Sequence, residues 1–322
     1  MVRIRQRWGA VALGVVLGVG LVTACKKDDS TAAGGKAGEA AGPTASGDDL
    51  SLLPADSELV LGINVKQMQG SSLWKSFIEP KVMNAEAQSK VATFKAKCGF
   101  DPMSAIGSVA VGLKGLTNNQ PDGVAVIHGL DKAKTLDCVD KAKDEFAKNG
   151  AEVTREGDVV LIKNKNGQPG AFSFINDSTA IAVFGSNGNA AGIKAVASGG
   201  SGLKGSASFL EMYKKVKTGD SLWMMASGKV MDKVPGSPTA AYGSLNMTDG
   251  LALDVRVRFP TPDAATQAVT MVNAQAKQAT KYVDKADFTA EGNELHGSVV
   301  LSSQKLAELA PMLSMFMGGM GQ

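Results

Sequence analysis

The sequence predicts an α+β fold made of two related strand-helix-hairpin units, with antiparallel sheets covered by helices on one face. Three observations predict it. Strands alternate apolar and charged residues, helices carry one apolar stripe each, and a degenerate repeat keeps the same order of elements twice.

The repeat sets the order of the elements. Asp56-Ser57-Glu58 followed by LVLGINV matches Gly219-Asp220-Ser221 followed by LWMMASG. Gly107-Ser108, opening a strand, matches Gly243-Ser244, and Asp122-Gly123 before VAVIHG matches Asp249-Gly250 before LALDVRVRF. A helical stretch follows in both halves. Val153-Thr154-Arg155-Glu156-Gly157 then matches Phe288-Thr289-Ala290-Glu291-Gly292, each leading into another apolar strand. Between the halves, residues 165–218 add two further strands and a helix.

Period distinguishes the elements. Leu251, Leu253, Val255, Val257 and Phe259 alternate with Asp254, Arg256 and Arg258, which is a strand with one wet face and argues for an antiparallel sheet. Thr261-Pro262 starts a helix with proline at its favoured first position. That helix carries Ala265, Ala268, Val269, Val272, Ala276, Ala279 and Val283 at helical spacing. In the first half Asp131 caps a helix whose Leu136, Val139, Ala142 and Phe146 face inward, and Asn149-Gly150 ends it.

The first residues carry an address. Arg3, Arg5 and Arg7 precede an uncharged run from Gly9 to Ala24. That run is shorter than the roughly 20 residues of a membrane span and suits a secretory signal. It closes on Val22-Thr23-Ala24-Cys25, which resembles the lipobox of bacterial lipoproteins. The resemblance implies lipid on the Cys25 thiol, cleavage before Cys25 by signal peptidase II, and usually acylation of the new amino group. An uncleaved anchor, or an ordinary secretory signal with a chance cysteine, is the alternative. Lys26 and Lys27 follow, and no aspartate comes directly after the cysteine, which by the enteric sorting rule implies the outer membrane. Residues 1–24 are thus read as signal peptide and 25–49 as anchor and disordered tether. Within the tether residues 28–49 are small and polar, with a reach of roughly 25 Å. Residues 50–218 form the first unit with its insertion, and 219–322 the second unit with a Met-rich amphipathic C-terminal helix.

Removing residues 1–24 takes three arginines and leaves 31 Lys plus Arg against 31 Asp plus Glu. The basic excess expected of a nucleic-acid binder is therefore absent. With Cys25 occupied by lipid, Cys98 and Cys138 remain as an even pair in an oxidising compartment and are expected to form a disulfide. Two buried free thiols are the alternative. A metal site is disfavoured because the chain has two histidines, neither close in sequence to either cysteine.

Chemical motifs dissolve on inspection. Gly200, Gly202 and Gly205 match G-x-G-x-x-G, but an Ala-rich helical stretch precedes them where the nucleotide motif needs a strand. Ser72-Leu73-Trp74-Lys75, Lys217-Thr218-Gly219 and Ser244-Leu245-Asn246 imitate the serine acyl-enzyme set. Ser201/Lys204 and Ser302/Lys305 also fit its first motif, and S-x-N falls last where it should lie between. His296 lies opposite Leu295, Val299 and Leu301 and reads as a surface residue. His128 shares a face with Val124 and Val126 and reads as a satisfied core histidine. Met312, Met315, Met317 and Met320 cluster at the C-terminus, where thioethers could take Cu(I). Leu306, Leu309, Leu313 and Phe316 explain the same segment as an amphipathic helix.

No catalytic, cofactor-binding or metal residue is therefore assigned. The ectodomain is similar to uncharacterised bacterial lipoproteins with a duplicated α+β unit opening on Leu-Pro-Ala-Asp (Leu53 to Asp56), and that resemblance brings no activity with it. The leading expectation is a non-enzymatic envelope lipoprotein, held on the membrane through Cys25, that binds an envelope protein or a ligand. A carrier of lipid or another apolar ligand is the alternative, and a serine hydrolase the remote one.

Overall fold

Apolar runs such as Val124–Ile127 and the buried Thr179–Phe184 leave no wet face, so these strands require cover on both sides. A computed structural model describes residues 49–117, 121–164, 168–234, 236–279 and 281–309, and this requirement organises it. The first seven strands are β1 (Leu59–Asn64), β2 (Ser108–Lys114), β3 (Asp122–His128), β4 (Ala151–Glu156), β5 (Val159–Asn164), β6 (Gly170–Phe174) and β7 (Thr179–Phe184). The remaining five are β8 (Leu222–Ser227), β9 (Ala240–Asn246), β10 (Gly250–Arg258), β11 (Lys285–Glu291) and β12 (Glu294–Ser302). All twelve join one antiparallel sheet in the order β11-β12-β10-β9-β8-β1-β2-β3-β7-β6-β5-β4. The α+β class and antiparallel pairing are thus as expected. The two halves share a single continuous sheet, joined where β1 pairs with β8.

Six helices matter to the argument: α1 (Ala85–Cys98), α2 (Lys132–Lys141), α3 (Lys143–Lys148), α4 (Ala190–Ala197), α5 (Ala207–Tyr213) and α6 (Pro262–Ala279). Side-chain caps start all but α3, as where Asp131 accepts from Lys134 N at 2.8 Å and Thr261 Oγ1 from Ala264 N at 3.2 Å.

Register separates the two faces. Cross-strand partners share a face, so Ile181, Val126, Ala110, Gly62, Trp223, Ser244, Asp254 and Ser298 form one row across eight strands. On this face, called A, the segment Asp49–Leu53, α4 and α5 bury Leu50, Leu53, Ile193, Phe209 and Met212 against Val126, Trp223 and Met225. On the opposite face, B, α2 buries Leu136 and Val139 against Val109, Ala125 and Ile127. Further along face B, α6 sets Ala265, Val269 and Val272 against Leu295 and Val257. The expectation of helices on one face is therefore corrected. Helices α2 and α6 share face B, while the inserted segment adds a second helical layer on face A.

Two glycines are dictated by close approach. Trp223, 2 % exposed, lies across the position a Gly62 Cβ would fill. Gly202 has φ +47°, and a Cβ there would come within 2.8 Å of the carbonyl oxygens of Ser51, Leu50 and Leu53. The Gly/Ser turn is thus the seat of the N-terminal segment. Gly243 and Ser244, matched in sequence to strand-opening Gly107 and Ser108, fall in the middle of β9.

Cys98 and Cys138 form the expected disulfide, tying α1 to α2. Beside it Phe94 meets Phe146 edge-on and Lys97 pairs with Glu145 at 2.8 Å. Replacing both cysteines with alanine opens a 40-residue loop. Urea unfolding should then fall by up to about 4 kcal/mol on the chain-entropy account, with face A packing unchanged. A loss confined to a few tenths would show that closing this loop contributes little to stability.

Candidate functional site

Helical cover on face A ends at α5, and the strands beyond it carry charge where the first half carries aliphatics. Tyr242 and Ser244 on β9, Asp254, Arg256 and Arg258 on β10, and Glu294 and His296 on β12 share that face by register. Glu211 and Lys215 reach it from α5 and the turn after it. The alternation read from β10 positions its three charges. Glu294 was not legible, because its partners lie 36 to 79 residues away.

Glu294 is the centre of this ionic shelf and is 3 % exposed. Its Oε1 accepts from Tyr242 Oη at 2.6 Å and from Arg258 Nε and Nη2 at 2.9 and 2.7 Å. Its Oε2 accepts from Lys215 Nζ at 2.9 Å and Arg256 Nη1 at 3.5 Å. Arg258 continues to Glu211 at 2.7 Å, and Arg256 to Glu291 at 2.6 Å. His296 sits between them, with Nδ1 3.0 Å from Glu291 Oε1 and Nε2 3.1 Å from Asp254 Oδ1. Lys217 pairs with Asp254 at 2.8 Å, and Asp220 accepts from Ser244 Oγ at 2.6 Å and Asn246 Nδ2 at 2.9 Å.

These contacts fix protonation. Burial alone would raise the Glu294 carboxyl, but hydrogen bonds from Tyr242, Lys215 and Arg258 outweigh it and lower it from 4.5 to about 2. Burial, with the Glu294 carboxylate, pushes the Tyr242 hydroxyl well up. The Arg256 guanidinium, then His296, holds Glu291 low. A carboxylate kept ionised and a phenol kept protonated are a poor base and a poor nucleophile near neutral pH. Around Glu294 the shelf thus holds an ionised carboxylate beside a neutral phenol and two guanidinium groups.

The serine-enzyme imitation is taken apart by the fold. Ser72 and Lys75 are exposed on the helical arm between β1 and β2, while Lys217 and Ser244 are engaged by Asp254 and Asp220 on face A. Gly202–Gly205 is a 3-10 turn following α4. His128 Nε2 lies 2.9 Å from Asp49 Oδ1 and Nδ1 3.2 Å from Thr179 Oγ1, so the histidine fastens the start of the described chain to β3 and β7. Asp49 itself, at the end of the expected tether, is 3 % exposed. Cys25 and the four C-terminal methionines lie outside the described residues.

Apart from the shelf, a cleft of about 530 Å³ runs between Leu53–Ala55 and α4 with Lys114, Asp122 and Phe184 on its walls. Among the described residues no group of three or more His, Cys, Asp or Glu is arranged to hold a metal ion, and no helix is long and apolar enough to cross a membrane. Comparison of the chain with protein-family models, with curated proteins and with solved structures finds no match.

Removing one member of a buried ionic cluster strands its partners, so Glu294→Ala should cost about 3–5 kcal/mol in urea unfolding at pH 7. Because the Glu294 pKa is depressed in the folded chain, its stabilisation is complete above pH 4.5 and is lost as pH falls towards 2. The stability gap between the wild type and Glu294→Gln should therefore narrow over that window. A gap constant from pH 7 to 2 would show that the carboxylate charge contributes nothing.

Proposed function

We propose that the protein is a membrane-anchored, non-enzymatic lipoprotein of the cell envelope whose ectodomain recognises a partner protein through the ionic shelf on face A. The carrying observation is the charge pattern built around buried Glu294, whose outer members Lys217, Glu211 and Glu291 are exposed on face A. Preorganised, complementary charges favour specificity and association rate, and rigid pairing lowers the ordering cost of binding.

The anchoring half of the reading rests on the lipobox-like Val22–Cys25, with lipid on Cys25 and delivery to the outer membrane. The order of strands supports a duplicated unit. From the central β1·β8 pair, β1-β2-β3 and β8-β9-β10 step outwards in the same sequence. Each is followed by a face-B helix and by a hairpin, β4–β5 or β11–β12. On this reading β6 and β7 are an insertion between β3 and β5.

The carrier alternative is favoured by one feature, the cleft beside α4, whose walls include Leu52, Val183 and Phe184. Lipid analysis of protein purified from native envelopes in mild detergent separates the two readings. A stoichiometric lipid other than the anchor supports the carrier and removes the partner reading.

Two outcomes test the main proposal. Cys25→Ala should abolish incorporation of labelled palmitate and leave the unprocessed chain. Labelling that persists would overturn the anchor. Crosslinking in intact envelopes should give one dominant protein adduct, reduced at least several-fold by the charge reversals Lys217→Glu with Glu291→Lys at unchanged protein level. An undiminished adduct would place the partner elsewhere.

A further inference from the structure

The sheet has two ends, and the end at β11 carries a pattern that is complementary to itself. Among the described residues no strand pairs with the outer side of β11, and Lys285, Asp287, Thr289, Ala290 and Glu291 are exposed. The two-residue turn Gly292-Asn293 makes Glu291 and Glu294 a hydrogen-bonded pair, so Glu291, Thr289 and Asp287 bond inward to β12. The N–H and C=O groups of Ala286, Phe288 and Ala290 therefore point outward, as a template for another strand. The Phe288 ring does not obstruct them, because it lies back over Gly297 of β12. Asn273 of α6 donates to the Phe288 carbonyl at 3.2 Å, and that oxygen keeps a second lone pair for a partner.

We propose that β11 pairs antiparallel with β11 of a second copy, about a two-fold axis at Phe288, so that two twelve-stranded sheets become one. Charge selects both the partner and the register. On face A Lys285 then stands opposite Glu291 of the second copy, once on each side of the axis. Asp287 stands opposite Thr289, whose hydroxyl can donate to it. On face B Ala286 meets Ala290, and Phe288 meets its own copy. The outward backbone groups of all three residues are paired in this same register. A slip of two residues either way sets Asp287 opposite its own copy or opposite Glu291, and like charges oppose pairing. Lys285 contacts Asp287 at 2.8 Å, but both side chains are more than half exposed, so turning to Glu291 forfeits little. The other end of the sheet lacks this symmetry. Pairing β4 with itself about Val153 sets Glu152 against Thr154, and Ala151 against Arg155, which Asp140 already holds at 2.6 Å. The inference does not depend on the shelf having a partner, although the two-fold would join two shelves into one charged face.

The test is sedimentation equilibrium of the full chain in detergent micelles, where the wild type should form a dimer that dissociates on dilution. Lys285→Glu sets a carboxylate opposite Glu291, and Glu291→Lys sets an ammonium opposite Lys285. Each alone should weaken the dimer by at least about tenfold, because two cross-strand charge pairs change sign. Mixing the two variants makes both positions complementary again, so a heterodimer of near wild-type affinity should form. That rescue also excludes misfolding as the cause of either loss. Ala290→Pro removes an outward N–H without touching the bonds to β12, and should weaken the dimer by a similar factor. A wild type that stays monomeric at every concentration overturns the proposal. So does a dimer indifferent to the two reversals or to Ala290→Pro, or a mixture of the reversed variants that stays monomeric.

Discussion

The pairing of Leu59–Ile63 with Leu222–Ala226 is the constraint on which the rest of the structure depends. It closes the longest loop of the sheet, and each half left alone would expose β1 or β8 as an unpaired edge. Trp223 secures the join by lying over Gly62, while Tyr213 at the end of α5 meets it edge-on with ring centroids 5.6 Å apart. Loop-closure entropy grows only slowly with length, so a buried aromatic at the contact is a sufficient counterweight. Once β1 and β8 are joined, both faces run unbroken across all twelve strands.

Continuity explains how one row of side chains changes chemistry. Along Val126, Ala110, Gly62, Trp223, Ser244 and Asp254 the backbone pattern is constant, but the layer above it is not. Under α4 and α5 the row can be apolar. Beyond Tyr213 α4 and α5 no longer lie above it, and exposed aliphatics would form a large apolar patch. Charged side chains replace them, and the two arginines and Lys215 converge on Glu294. A carboxylate as buried as Glu294 is tolerated only with several donors, and Tyr242, Arg258 and Lys215 supply them. The shelf is thus the ionic equivalent of the missing helix.

What could be read from sequence follows the range of the interactions. The strand at Gly250–Arg258, the caps at Asp131 and Thr261, and the Cys98–Cys138 pairing rest on local period, local hydrogen bonds or simple arithmetic. The two-sided cover was also written locally, in the unbroken runs Val124–Ile127 and Thr179–Phe184, but a short apolar run does not say which elements will cover it. The pairing of β3 with β7, and with it the place of the inserted segment, depends on partners 51 to 61 residues apart, from His128↔Thr179 to Gly123↔Phe184. Glu294 is harder still. It follows Asn293 at the start of an unremarkable strand, and its importance comes from Lys215, Tyr242 and Arg258, which no periodicity connects to it. Ser244 illustrates the converse: motif spacing suggested chemistry, whereas Asp220 uses its hydroxyl for structure.

The two halves are consequently unequal in thickness. In the first half the sheet lies between helical layers, and the N-terminal segment is fastened there by Leu50, Leu53 and the Asp49–His128 contact. Under the proposed lipid anchor, any pull from the membrane enters the fold at Asp49 and meets its most heavily packed region. The second half has one major helix for five strands, so the alternation of β10 sends charge to face A and aliphatics to face B with little described helix above either. A strand with period two cannot leave one face free for recognition without presenting the other set of side chains as well. Strands β9, β10 and β12 therefore create two surfaces of opposite character from one pattern: a charged one on face A and an apolar one on face B.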